Sequence, residues 1–313
     1  MSALHESLAK YVALRRALGT QLAEPAKTLV QFIDFIEAEG STFITSSLAL
    51  RWATKPQGVQ RATWARRLGH VRGLAAYLSA TDERTEIPPC HLLAPRRTRR
   101  TPYIFTAREI GLLMTQAARL RSRSGLRALT YSTLVGLLAA TGLRPGEALA
   151  LDVGDVDLDD GLLAVRETKF GKSRLVPIER STRAALIRYA RRRRELWPSS
   201  PTAAFLLSER GRRLRGSAAR STFVRLSQAV GVRAPSKPGR SGRGPRLQDL
   251  RHTFATQRLV EWYRAGADVT RRMSALSTYL GHVAVHHTYW YVEAVPELLQ
   301  LATDRLSAKG GAQ

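Results

Sequence analysis

Apolar residues recur through the first 85 positions at the spacing of helices rather than strands. Leu4, Leu8, Val12 and Leu18 trace one stripe that closes at Gly19. Pro25 suits a helix start, and Leu29, Phe32, Ile33 and Ile36 repeat three and four apart before Gly40. A short segment at 46–54 carries Leu48 and Trp52, and a longer one carries Trp64, Leu68, Val71, Leu74 and Leu78. Four short amphipathic helices predict a small bundle.

The pattern breaks over residues 86–103, EIPPCHLLAPRRTRRTPY. Pro88, Pro89, Pro95 and Pro102 stop helices, and Arg96, Arg97, Arg99 and Arg100 form a basic run. The expected division is a helical domain over 1–87, a basic linker over 88–103 and a larger domain over 104–313. A run of arginines is often a merely solvated segment. Between two positively charged domains it reads better as a strap that tracks phosphates.

Beyond residue 104 the periodicity is mixed. Thr106, three residues before Glu109, carries a capping-box signature. A helix is expected at about 126–141, closed by Gly142. Residues 162–167 and 173–178 alternate as strands do, around the turn Lys169-Phe170-Gly171-Lys172. Ala204–Ser208 reads as a further short strand. Helices follow at about 181–195, 217–230, 248–265 and 268–281, with a Gly/Pro/Ser-rich basic loop at 233–246. Pro296 opens a last helix with Val295, Leu298, Leu299 and Leu306 on its apolar side. The fold class this predicts is mainly α with a small β-sheet (α+β).

Composition adds a partner. Against 25 acidic residues stand 50 Lys and Arg, a net charge of +25 over 313 residues, with a pI near 11.3. Fifteen cations and eight acids leave +7 on residues 1–103, and the remainder of the chain carries +18. The 44% hydrophobic content excludes wholesale disorder. The charge argues against an ordinary metabolic enzyme and for a polyanion, most simply nucleic acid. Only seven of the cations are Lys; an Arg bias is also what a GC-rich genome produces, so the Arg count alone is no functional signal. The single Cys90 excludes an intramolecular disulfide framework and a Cys-rich zinc site. The N-terminal stretch lacks a continuous apolar core, and no run reaches the roughly 18–20 apolar residues of a membrane span, so a cytoplasmic protein without a membrane partner is expected.

Four short motifs carry candidate chemistry. In Thr141-Gly142-Leu143-Arg144-Pro145-Gly146-Glu147, Arg144 sits at a helix junction where a guanidinium can face an oxyanion, with Glu147 one turn on to hold it. In Glu167–Pro177, Lys169 and Lys172 flank a hairpin tip; Lys can donate a proton where Arg cannot. Gly171-Lys172-Ser173 mimics the end of a P-loop, but Arg166 stands where that loop needs its first Gly. Leu247–Ala255 places Gln248 and Arg251 on one helix face, beside Asp249 and His252. Leu280-Gly281-His282 is followed by His286, His287, Tyr289, Trp290 and Tyr291. No Cys and no nearby carboxylate cluster accompany these histidines, so no metal is assigned.

Singly these motifs are weak. Their order, Arg, hairpin Lys, LxxLRHTFA, LGH and Tyr over about 150 residues, resembles the tyrosine recombinase (phage integrase, Xer-type) family. The resemblance covers roughly residues 104–300. It implies a catalytic domain preceded by a SAM-like helical core-binding domain, the two closing as a C-shaped clamp on duplex DNA.

Position by position, the resemblance makes Arg144 and Arg251 the catalytic arginines, His282 the LGH histidine and Tyr291, nine residues further, the nucleophile. Tyr289 is the alternative. Lys169 matches the hairpin lysine and Lys172 a flanking basic position, an assignment that can be exchanged between them. The family's histidine three residues before the second arginine is replaced by Gln248, which can donate a hydrogen bond but cannot shuttle a proton. Expected DNA contacts are Arg96, Arg97, Arg99, Arg100, Lys172, Arg174, Arg243 and Arg246.

The implied reaction cuts and rejoins DNA through a 3′-phosphotyrosyl intermediate, without cofactor, metal or ATP. It implies a homo-tetramer on DNA, or assembly with related recombinases, in a nucleoid-associated bacterial protein. The ending YLGHVAVHHTYWYVEAVPELL resembles the mobile-element-borne branch. The rival readings are an accessory DNA-binding protein weakened at Gln248, a type IB topoisomerase, and a general basic RNA-binding protein.

Overall fold

The structure, a computed structural model, describes residues 2–20, 22–93, 101–166, 173–235, 244–282, 284–294 and 296–310. The chain forms two compact units, Met1–Arg99 and Arg100–Gln313.

The first unit holds α1 (Ala3–Ala17), α2 (Ala23–Ala38), α3 (Ser46–Thr54) and α4 (Arg61–Leu78). Leu29, Phe32, Ile33 and Ile36 are all buried, joined by Leu68, Val71, Leu74 and Leu78. The stripe on α1 is shifted from expectation. Leu8 and Tyr11 are buried whereas Leu18 is 71% exposed, because α1 ends before Leu18 and the chain turns at Gly19.

The residues that open the expected linker make contacts with the first unit. The Glu86 backbone N–H donates to the Ile44 carbonyl at 2.8 Å, and the Arg72 guanidinium donates to the carbonyls of Pro88 and Pro89. Leu93 packs against the bundle core. Residues 88–93 therefore fold back on the bundle, since Arg72 gives the proline carbonyls donors that water would otherwise supply. Arg96, Arg97, Arg99 and Arg100 lie outside the described residues. Pro102 and Phe105 are buried in the second unit, where the Phe105 N–H donates to Thr253 Oγ1.

In the second unit α5 (Ala107–Ala118) starts at the expected capping box of Thr106 and Glu109. It packs on α6 (Leu126–Thr141), whose residues are buried or half-buried around nearly its whole circumference, as in a central helix. Next come α7 (Pro145–Ala150) and an antiparallel sheet in the order β1 (Val156–Asp157), β2 (Leu162–Val165) and β3 (Arg174–Pro177). Helices α8 (Arg180–Leu196), α9 (Gly216–Ala229), α10 (Leu247–Arg264), α11 (Val269–Leu280), α12 (His286–Ala294) and α13 (Pro296–Gly310) complete it. Fold class is as expected: mainly helical with a small sheet.

Ala204–Ser208 is not a strand of that sheet. Ala204–Leu207 are fully buried, but they make only isolated bridges, Asp152 to Ala204 and Leu207 to Arg213. A short apolar run reads the same whether it joins a ladder or only lines a core. The last helix packs within its own unit: Leu298 is fully buried among Leu259, Met273 and Leu276, and Arg264 pairs with Glu297 at 2.7 Å.

Candidate active site

The site is built around one helix end. The last residues of α11 present three successive carbonyls, and each receives a different arginine. Arg174 Nε donates to Tyr279 at 2.8 Å, Arg251 Nη2 to Leu280 at 2.6 Å and Arg144 Nη2 to Gly281 at 3.0 Å. A helix C-terminus has unsatisfied carbonyls and a partial negative charge, so it gathers cations that would otherwise repel one another. Gly281 closes the helix with a φ of +66°, which turns its carbonyl toward Arg144.

Arg144 comes from the junction the sequence marks. Gly142 (φ +60°) ends α6, and Arg144 is the N-cap of α7. Glu147, three residues on, accepts from the Arg144 backbone N–H at 3.0 Å and from its Nη1 at 2.6 Å. The same carboxylate accepts from Arg174 Nη2 at 2.8 Å and Nη1 at 3.2 Å. Burial alone would raise the pKa of Glu147, but the hydrogen bonds and charges of Arg174 and Arg144 bring it below the usual carboxylate range.

Arg251 is 1% exposed. Its Nη1 donates to the Gly142 carbonyl at 2.9 Å, so this guanidinium joins the C-terminal ends of α6 and α11. Burial pushes its pKa down to about 10, Tyr291 offsets part of that and Arg144 adds to it. Arg251 is charged at neutral pH.

Tyr291 lies on α12, 2% exposed, whereas Tyr289 is 44% exposed. The His282 ring stacks on Tyr291 at 6.1 Å and 23°, and the His252 ring meets it tilted at 5.5 Å. His282 Nδ1 lies 2.7 Å from Thr288 Oγ1. His252 also packs edge-on against Trp290, and its place is in this aromatic cluster.

Gln248 is half-buried in the first turn of α10. It lines a cleft of about 1010 Å³ together with Arg144, Arg166, Ser217, Arg220 and Arg246. Arg246 is exposed at the rim, its guanidinium 3.0 Å from Asp249.

Thus Arg144, Arg251, His282 and Tyr291 converge, and Gln248 shares the cleft with Arg144. Lys169, Lys172 and Arg243 lie outside the described residues. Arg174, expected as a DNA contact, has a side chain only 12% exposed and bonded to Glu147 and the Tyr279 carbonyl. It braces the site from inside, because a strand-borne arginine beside a helix C-terminus finds its acceptors there rather than on a surface. Ser217 and Arg220, both exposed on α9, line the cleft as well; the signal the sequence offers for them is their spacing three apart on one helix face.

Comparison with known proteins places the chain in a family. The phage integrase family matches residues 104–297. A Sinorhizobium fredii protein named as an integrase/recombinase, y4rB, is 43% identical over 99% of this chain and 98% of its own. Tyrosine recombinase XerD of Brucella abortus is 30% identical over 78% of this chain and 75% of its own. Among solved structures, the Tn1549 transposon integrase in complex with transposon right end DNA superposes with a TM-score of 0.63 at 16% identity, covering 98% of this chain and 100% of that one. XerH recombinase bound to palindromic difH substrate gives 0.62 at 19% identity, covering 90% and 77%. The chain belongs to the phage integrase family, the DNA strand-transferring tyrosine recombinases.

Proposed function

We propose that this site-specific recombinase acts through Tyr291, in the integration, excision or transposition of a mobile element. The observation that carries the reading is the buried Tyr291 stacked on the His282 ring, beside the helix end whose carbonyls hold both Arg251 and Arg144. A phenol with an ordinary pKa near ~10 needs a cationic surround to become a nucleophile.

Tyr291 Oη attacks a DNA phosphorus, forms the 3′-phosphotyrosyl bond and breaks the bond to the 5′-oxygen, which leaves as a hydroxyl. A 5′-hydroxyl of a second strand reverses the step. Arg144 and Arg251 hold the non-bridging oxygens as charge develops there. His282 and Gln248 add hydrogen bonds, and Lys169 protonates the leaving oxygen. Double-stranded DNA is the partner, with four copies in the synapsed state and the helical unit 1–87 gripping the core site. A bacterial nucleoid location follows from that substrate. Among the described residues no helix is long and apolar enough to cross a membrane.

Covalent trapping tests the reading. Purified protein is incubated with nicked duplexes drawn from DNA flanking its own gene, and adducts are resolved on denaturing gels. Wild type and Tyr289→Phe are expected to form an adduct and Tyr291→Phe none. An adduct that persists in Tyr291→Phe overturns the assignment.

A further inference from the structure

We propose that Thr288 is a positioning residue that sets which nitrogen of His282 serves the reaction. The inference rests on the reading of His282 and Tyr291 above. Thr288 is fully buried, and its hydroxyl lies 2.7 Å from His282 Nδ1. Its own backbone N–H donates to the Val285 carbonyl at 2.7 Å, in the turn that opens α12. The backbone of Thr288 is therefore tied into the opening turn of the helix that also carries Tyr291, and its hydroxyl meets the His282 ring from there.

The chemistry needs such a device in this chain more than a second histidine would allow. Gln248 cannot take or give a proton, so proton handling near the nucleophile falls to imidazole. Of the two imidazoles that meet Tyr291 among the described residues, His252 packs against both Trp290 and Tyr291, whereas His282 lies near-parallel to the phenol, centroids 6.1 Å apart. An imidazole with one nitrogen engaged by a fixed hydroxyl, which can give or take that hydrogen bond in either tautomer, offers the other nitrogen in a defined direction. With Nδ1 held by Thr288, Nε2 is the nitrogen offered to the phosphate oxygen. Because Thr288 and Tyr291 are on one helical face three residues apart, ring and nucleophile are set by one rigid element.

The experiment measures single-turnover adduct formation and, separately, non-covalent DNA binding. Thr288→Val keeps the β-branched shape and removes the hydroxyl; Thr288→Ser restores it. Expected is a fivefold to tenfold slower cleavage, about the rate equivalent of one neutral hydrogen bond, in Thr288→Val at unchanged DNA affinity, with recovery in Thr288→Ser. In a double-mutant cycle Thr288→Val adds no further loss to His282→Ala, because its effect passes through that ring. Wild-type cleavage by Thr288→Val, or a loss that adds in full to His282→Ala, overturns the proposal. Should Thr288→Val unfold, Thr288→Cys carries the same cycle, with Thr288→Ser again as the variant that keeps the hydroxyl. Tyr291→Phe run alongside separates failure of this inference from failure of the site itself: an adduct surviving there overturns both.

Discussion

Arg251 donates one guanidinium nitrogen to the carbonyl of Gly142 at 2.9 Å, across 109 residues of chain, and the other to Leu280. The arginine at the heart of the site is thus oriented by backbone, and the backbone is oriented by glycine. A Cβ at position 142 would lie 2.5 Å from Phe254 Cδ1 at a φ of +60°. Gly142→Ala is expected to cost about 2–4 kcal/mol, from the left-handed backbone and the ring it displaces. Urea melts check the stability. Adduct formation is expected to fall by more than the population of folded protein does, because the carbonyl shifts under Arg251.

The Glu147 carboxylate is the counter-charge for Arg144 and Arg174 together. Glu147→Gln keeps its shape and leaves two neighbouring guanidiniums without an anion. A loss of about 3 kcal/mol is expected in denaturant titration, the lower end for breaking a buried pair, since Arg144 is partly exposed. Arg174→Ala is expected to lower cleavage with little change in the salt dependence of DNA binding. An outward-facing phosphate contact would instead reduce that slope by about one.

Acid sensitivity has an identifiable source at the far end of α6. Burial alone would raise the pKa of Glu209, but donors from Ser122, from the Ser124 backbone and hydroxyl, and from the Arg127 backbone hold it at about 2. The folded value lies below the ordinary 4.5. Its stabilisation is therefore complete above that value and is lost as pH falls toward 2. The midpoint temperature of wild type is expected to drop over this range, and Glu209→Gln, lower throughout, to drop less.

Gln248 stands in the cleft wall, where a histidine can exchange a proton and an amide cannot. Gln248→His is expected to speed adduct formation by up to about tenfold, most clearly near pH ~6.5 where imidazole titrates. Gln248→Ala is expected to slow it by a similar factor through the lost donor. Rates that do not respond to either change would remove position 248 from the chemistry.

Much of this was legible in the chain because it rests on local rules. Helix stripes at 29–36 and 68–78, the Thr106–Glu109 cap, the stop at Gly142 and the turn into Arg144 depend on residues within a few positions of each other. So does the spacing from His282 to Tyr291, and with the family resemblance it sufficed to name the chemistry. Tertiary structure alone decided where the cations went. Nothing local says that Arg144, Arg174 and Arg251 would end on carbonyls 281, 279 and 280 of one helix, or that Arg174 would turn inward. Nor does it say that Arg72 would hold Pro88 and Pro89 against the bundle, or that Ala204–Leu207 would line a core without joining a sheet. A guanidinium reaches whichever acceptors the fold brings within about 3 Å, and that distance is set by elements a hundred residues apart.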